Sequence, residues 1–272
     1  MSAVGEILGG GCADERAGQR RLAVVFLAGD MSGAGAAGCV DAAGGVAGND
    51  AYYRGWAEAA DIVLAADGGA RYLLRLGARP AAVVGDFDSL DAPGVRRLRD
   101  LGVEMIAHPV RKDVTDGELA VAEAERRGAG EVVLAGGLGA LDHTLGHLAI
   151  LRRLEARGIA ARLVAPQLTV RVLRAPVDVV LDAGPGTRVS LAPLDGAARV
   201  TLTGLDYPLD RGLLPAGVCL GLGNHVAAAS RARIIVHEGV VAALVGMGDE
   251  RFGTCRSRVR GKAGPASGVG ES

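Results

Sequence analysis

Aromatic residues are scarce. Phe, Trp and Tyr make up 3% of the 272 residues, while 49% of the chain is hydrophobic and 43 residues are glycine. Any core is therefore built mainly from Ala, Val and Leu. An excess of charge of one sign is missing too: 30 Lys+Arg against 31 Asp+Glu leave a net charge of −1, which offers no basic field for nucleic acid and no acidic tail. The 4 cysteines, Cys12, Cys39, Cys219 and Cys255, form no CxxC. They fit neither a zinc site nor a disulfide framework, and they suit a reducing cytosol. No apolar stretch approaches the ~20 residues that span a bilayer. The first residues lack the basic segment and apolar core of a signal peptide. No GxxxxGK[ST] occurs, which excludes a P-loop enzyme. A soluble cytoplasmic protein that binds neither nucleic acid nor membrane is expected, with one large domain or two modest ones.

What is present is an alternation of strands and helices. Leu22–Ala28 is a continuous apolar run, the pattern of a strand buried on both faces. Strands are expected at Ile62–Ala66, Ala81–Val84, Val103–Ala107, Glu131–Leu134 and Ala161–Val164, and helices at Tyr52–Ala60, Ala70–Leu76, Pro93–Leu101, Thr115–Arg127 and Asp142–Arg157. Thr115 reads as an N-cap, with Glu118 as its capping-box partner. This spacing implies a mostly parallel sheet with crossover helices, an α/β fold, over residues 21–166. Residues 1–20 read as a flexible start and 31–50 as a Gly/Ala-rich insertion. Gly33-x-Gly35-x-x-Gly38 matches the dinucleotide fingerprint by letter, but the segment after it is a poor helix and the fingerprint needs one there. Beyond Pro166 the segments 170–173, 177–181, 188–191, 199–202, 218–221, 232–236 and 240–245 are short and β-rich, the signature of an antiparallel sandwich over 167–250. The basic Gly/Ser-rich tail, 251–272, is expected to be disordered.

The chemistry gathers around Gly85-Asp86-Phe87-Asp88-Ser89. Residues at i and i+2 of an extended segment point the same way, so Asp86 and Asp88 would offer oxygen ligands to one spot. Alone, the motif is equally a surface turn with two solvated acids. Its surroundings favour a hard cation such as Mg²⁺. Ligands of open α/β sheets bind beyond the carboxyl ends of the strands, and four polar clusters fall there: Asp67-Gly68-Gly69, the Asp86–Ser89 turn, Lys112–Asp116, and Gly136–Gly139 with Asp142-His143-Thr144. Asp86, Asp88 and Asp116 together could hold Mg²⁺. Gly68, Gly69, Gly136 and Gly137 expose N–H groups just before helices, where the dipole favours phosphate. Lys112 supplies a mobile charge for phosphate oxygens, and Asp67 could orient or deprotonate a hydroxyl nucleophile. The inferred chemistry is metal-assisted transfer of a phosphate-containing group.

Five stretches carry a resemblance: ADGGA (66–70), GDFDS (85–89), KDVTDGE (112–118), LDHTLGH (141–147) and TLTGLDYPLD (201–210), with GLGN (221–224) before the final strands. In this order they resemble the thiamine pyrophosphokinase (thiamine diphosphokinase) family. The resemblance implies an α/β catalytic domain, a C-terminal β-sandwich that binds thiamine, and a homodimer with thiamine near the subunit interface. It implies attack of the thiamine hydroxyl on the β-phosphorus of ATP, with AMP leaving. Carried over, Asp86, Asp88 and Asp116 match the metal-associated acids and Asp67 the acid of ADGG. Gly68, Gly69, Arg71, Lys112, Asp113, Gly136, Gly137, Asp142 and His143 fall on the ATP side. Asp67, Tyr207 and Asn224 fall on the thiamine side, where an aromatic face suits a cationic thiazolium. Read from the residues alone, Tyr207 is a half-buried sandwich tyrosine. The chain departs from the family at Arg71 (usually Asn), at Gly139-Ala140-Leu141 (no Arg before Asp142), at His147 (usually Asn), and at Gly223 and His225 beside Asn224. Two alternatives stay open: a diphosphokinase for another small heterocyclic alcohol such as a pterin, and a non-catalytic nucleotide- or thiamine-binding protein.

Overall fold

The structure, a computed structural model, describes residues 20–29, 31, 46–109, 113–228, 231–246 and 256–258. Lys112 and the Gly33–Gly38 fingerprint match lie outside the described residues. Six strands, Leu22–Phe26 (β1), Ile62–Ala66 (β2), Ala82–Gly85 (β3), Glu104–Ala107 (β4), Glu131–Ala135 (β5) and Ala160–Ala165 (β6), pair in parallel in the order β6-β5-β1-β2-β3-β4. Five helices, Val46–Ala59 (α1), Gly69–Leu76 (α2), Ala92–Asp100 (α3), Asp116–Arg126 (α4) and Leu141–Ala156 (α5), cover the two faces. Tyr53, Trp56, Ala70, Leu73, Leu76 and Leu98 from α1, α2 and α3 pack on one face, and Ala120, Val121, Ile150, Leu151 and Leu154 from α4 and α5 on the other. Both faces are covered, which is why these strands read as unbroken apolar runs rather than as alternations. Among the described residues no helix is long and apolar enough to cross a membrane.

The order reverses at β1. The chain steps from β1 to β2, β3 and β4 on one side, then returns to place β5 and β6 on the other. Such a switch point opens a crevice at the carboxyl edge of the sheet.

The segment expected to be an insertion ends in helix. Val46–Asp50 belongs to α1 although Gly and Asn are poor helix formers. Tertiary contacts override propensity here. The Asn49 side chain donates to the Met31 carbonyl at 3.3 Å, and Asp50 accepts from Tyr72 and from Arg75, both at 2.9 Å.

The antiparallel strands do not stand apart from the parallel sheet. Leu168–Arg174 (β7) turns back from β6 and pairs with it, and Arg188–Pro193 (β9), Asn224–His225 (β12) and Val240–Gly246 (β14) extend the same sheet to ten strands. Val177–Val180 (β8), Ala198–Thr203 (β10), Leu209–Leu214 (β11), Arg233–Glu238 (β13) and Arg256–Arg258 (β15) form a second, antiparallel sheet. Leu191, Val241 and Ala243 from one sheet interdigitate with Val200, Leu202, Ile234 and Val236 from the other. One expectation is corrected. Val218–Gly221 is turn rather than strand, and β11 takes the place expected there. The sequence Leu-Asp-Arg-Gly hides β11, an edge strand whose Arg211 sits at φ +47° beside a register shift. Within the tail expected to be disordered, Arg256–Arg258 forms a strand against β8.

One ionic cluster ties α4 to the sheet. Glu123, with a side chain only 10% exposed, accepts from Arg126 at 2.6 and 2.7 Å and from Arg127 at 2.5 Å, and Arg127 also reaches Glu104 on β4 at 2.7 Å. The Arg126 guanidinium first, and Arg127 next, outweigh burial and hold the Glu123 carboxyl down to about 2. A depressed carboxyl contributes stability that is complete above its unfolded pKa of about 4.5 and is lost as pH falls toward about 2. Because the Arg126 side chain is 66% exposed, screening keeps that contribution small. Glu123→Gln should lower the melting temperature at pH 7 and narrow its gap to wild type below pH 4, as followed by circular dichroism. An unchanged gap across that window would rule out the linkage.

Candidate active site

The carboxyl edge of β2 and β3 brings three carboxylates together. Ligand oxygens of Asp67, Asp86 and Asp88 all lie within 4.8 Å of one another. Asp67 follows β2 at φ +38°, a left-handed conformation uncommon for a residue with a side chain, and its N–H bonds to the Val84 carbonyl of β3 at 2.9 Å. It is 8% exposed, and its Oδ1 has no hydrogen-bond partner. Asp86 is half-buried and Asp88 exposed. They converge for a different reason than strand alternation. The chain has left β3 by Asp86, Phe87 adopts φ +65°, and the Asp88 N–H folds back onto Asp86 Oδ1 at 3.2 Å. A turn, not an extended segment, aims the pair. Serine follows the same path, its Ser89 hydroxyl reaching Asp88 Oδ1 at 3.3 Å.

Asp116 stands beside this trio rather than in it. A Cβ on Gly85, which sits at φ +151°, would lie 3.0 Å from Asp116 Oδ1 and 3.1 Å from Asp67 Cβ, so both acids press on the same glycine. The expected capping box fixes Asp116 at the first position of α4: the Glu118 N–H donates to Thr115 Oγ1 at 3.2 Å, and the Thr115 N–H to the Glu118 carboxylate at 3.0 Å. Asp113 is exposed two residues before the cap. The donor set suits a hard divalent cation: oxygen ligands only, three acids in reach of one another, and one buried oxygen left without a partner.

The glycines do more packing than their sequence context suggests. A Cβ on Gly69 would fall 2.1 Å from the Phe26 carbonyl oxygen, so Gly69 lets α2 begin directly against β1. Gly136, at φ +72°, crowds Met31, and its carbonyl would lie 2.0 Å from a Cβ on Gly29. That contact closes β1 against β5 at the switch point. The exposed Arg71 folds its guanidinium over Gly68, 3.6 Å from where a Cβ would stand there. At the start of α5 no side chain caps the helix; Asp142 and His143 are exposed, and the His143 N–H bonds to Asp142 Oδ1 at 2.8 Å. Sequence reasoning gave His147 no role. It is buried with its Nδ1 2.7 Å from the Gly137 carbonyl, and burial pulls its pKa below the usual histidine value.

On the antiparallel part Tyr207 is 71% exposed, which corrects the half-buried reading. Its ring projects from a turn that Asn224 holds. Buried Asn224 accepts from the Tyr207 N–H at 3.0 Å and donates to the Tyr207 carbonyl at 2.8 Å. The Asn224 side chain is thus committed to backbone.

Comparison with known proteins agrees with this layout. The family model "Thiamin pyrophosphokinase, catalytic domain" matches residues 53–163, and "Thiamin pyrophosphokinase, vitamin B1 binding domain" matches 176–241. A curated thiamine pyrophosphokinase of Bacillus subtilis (strain 168) is 26% identical over 175 residues, 63% of this chain and 81% of that protein. The crystal structure of thiamine pyrophosphokinase from Bacillus subtilis shares the fold at TM-score 0.68 and 22% identity, covering 84% of this chain and 99% of that one. Yeast thiamin pyrophosphokinase does so at TM-score 0.66 and 15% identity, over 86% of this chain and 88% of that one. The matched family models and the curated relative make this a kinase-type enzyme, here built on a mostly parallel α/β sheet continued by antiparallel strands. The chain belongs to the thiamin pyrophosphokinase family, whose two models together cover well over half of its 272 residues.

Proposed function

We propose that this chain is a Mg²⁺-dependent thiamine pyrophosphokinase. The observation that carries the reading is the Asp67, Asp86, Asp88 cluster with its unpartnered buried Asp67 oxygen. In this reading the three acids, with Asp116 beside them, hold the metal. A Mg²⁺ held there would supply charge neutralisation for the ATP phosphates and polarise the attacked phosphorus. The thiamine hydroxyl oxygen bonds to the β-phosphorus and releases its proton to the surrounding water, the bond from that phosphorus to the α–β bridging oxygen breaks, and AMP departs with the bridging oxygen. In this reading Asp67, whose oxygen lies beside those of Asp86 and Asp88, serves the metal rather than the acceptor. Arg71 serves the ATP phosphates in place of the arginine missing before Asp142, with Lys112, Asp113 and the turns at Gly68-Gly69 and Gly136-Gly137. The exposed ring of Tyr207 stacks on thiamine, and Asn224 contributes by fixing that ring's turn. Residues 21–166 form the catalytic part and 167–250 the thiamine-binding part, in a cytoplasmic homodimer. The family relationship and the residue ranges matched by the two domain models support this division.

Incubation with ATP, Mg²⁺ and thiamine should yield AMP and thiamine diphosphate in equal amounts. ADP as the product would end the pyrophosphoryl reading. Turnover of a hydroxymethylpterin but not of thiamine would transfer the activity to another acceptor. Arg71→Ala should raise the KM for ATP about tenfold, the loss of one charge-assisted contact. An unchanged KM would remove Arg71 from the nucleotide site.

A further inference from the structure

His147 sits where α5 faces both the β5–α5 turn and the first turn of α4. Its Nδ1 is 2.7 Å from the Gly137 carbonyl oxygen. A carbonyl only accepts, so Nδ1 carries the proton. The ring's other nitrogen faces Gly117, 3.8 Å from where a Cβ on that glycine would stand. A Cβ on Gly137 would lie 2.7 Å from Leu163, 3.1 Å from His147 and 3.1 Å from Leu27. The imidazole is therefore wedged between two glycines, one on the turn after β5 and one next to Asp116 on α4. Burial disfavours its charged form and the neighbouring His143, whose ring centre is 6.3 Å away, opposes that form as well. A neutral ring with a fixed tautomer has one donor to give, and it goes to Gly137.

That single bond sets the orientation of a peptide plane. In a trans peptide the C=O and the N–H of the next residue point in opposite directions. The Gly137 carbonyl is turned inward to a buried ring, so the Leu138 N–H is turned the other way, away from that ring. We propose that His147 is a positioning residue that aims the Leu138 N–H at a phosphate oxygen of the nucleotide. The proposal rests on the nucleotide-handling reading of this edge and names the atom that does the work on the β5 side. It also explains how the turn keeps a fixed direction although glycines occupy positions 136, 137 and 139, residues that otherwise leave the backbone free to rotate.

Two variants and one label test this. The amide nitrogen of Asn stands as many bonds from the backbone as Nδ1 of His, so His147→Asn keeps the donor, whereas His147→Leu removes it. ATP affinity is measured by calorimetry without thiamine, and KM is measured for ATP and thiamine separately. His147→Leu should weaken ATP binding and raise its KM about tenfold, the worth of one oriented donor, with the thiamine KM changed less than about twofold. His147→Asn should return both to within about twofold of wild type. Equal shifts in both KM values, or no rescue by Asn, would leave His147 a packing residue and overturn the proposal. In wild-type protein labelled with ¹⁵N-leucine, the Leu138 amide resonance should move on saturation with ATP. An unmoved resonance overturns the proposal even if the Leu variant fails to fold. Protein that binds ATP and shifts Leu138 but makes no thiamine diphosphate keeps the proposal and ends the pyrophosphokinase reading. Protein that turns over thiamine with Leu138 unmoved does the reverse.

Discussion

Asp88→Asn should lower Mg²⁺-dependent turnover by about 10²–10³-fold or more while leaving the melting temperature of the metal-free protein unchanged or slightly higher. The two halves of this expectation share a cause. Three carboxylates whose oxygens lie within 4.8 Å repel one another when no cation separates them. Asp88 is the exposed member and its carboxylate accepts from the neighbouring Ser89 hydroxyl, a bond an Asn oxygen also accepts, so neutralising it relieves repulsion at little cost in packing. With Mg²⁺ present the sign reverses. A ligand bound only by the folded state stabilises it by RT ln(1 + [L]/Kd), about 2.7 kcal/mol at a hundredfold excess over Kd. Wild type should therefore melt higher on adding MgCl₂ and ATP, and the variant should respond far less. Asp116→Asn, outside the trio, should retain more of the metal response than Asp88→Asn. Near-normal turnover in Asp88→Asn would refute the metal role. A melting temperature that drops sharply without metal would show that Asp88 is structural instead.

The parallel part of the fold was legible because its signals are local. Apolar runs ending in Gly-Asp, and the Thr115–Glu118 box, write strand ends and a helix start directly into the chain. The antiparallel part was harder for a physical reason. Its short strands identify a β region, but which sheet each joins depends on pairing across long sequence separations, as when Val240–Gly246 inserts between β7 and β9. The edge strand β11 carries Asp, Arg and Gly, and its identity comes only from its neighbour β10. At the site, the sequence grouped Asp86 and Asp88 with Asp116, whereas the structure brings their oxygens together with those of Asp67. The left-handed backbone at Asp67 and Phe87 is not written in those residue types, since both occur far more often at negative φ. Those two dihedrals lie in the turns after β2 and β3, where Asp67 meets Asp86 and Asp88. Tyr207 shows the same limit: a tyrosine among strand residues reads as half-buried, whereas it lies in the turn between β10 and β11 with its backbone bonded to Asn224 and its ring exposed.

Gly69→Ala should destabilise the protein by about 3 kcal/mol or more, a loss of roughly 6–12 °C in melting temperature for a chain of this size. Intrinsic preference predicts the opposite, because alanine favours a helix over glycine by up to ~1 kcal/mol. Space decides between them. The new Cβ would stand 2.1 Å from the Phe26 carbonyl oxygen and 2.6 Å from its carbon, both backbone atoms of the fully buried β1. Neither can rotate aside, so α2 would have to back away from the sheet, and with it Ala70, Leu73 and Leu76, all buried against β1 and β2. The same step moves Asp67, two residues upstream, out of register with Asp86, so turnover should fall with stability. Gly146→Ala on α5 is the matched control. That glycine is exposed, lies inside a helix and has nothing within 4 Å of its Cβ position. There propensity acts unopposed, and the variant should gain up to ~1 kcal/mol with turnover intact. If both variants were stabilised, Gly69 would be needed only for access to phosphate. If Gly69→Ala alone is destabilised, the close approach of α2 to β1 is what fixes glycine at this position and, through Asp67, what shapes the carboxylate cluster.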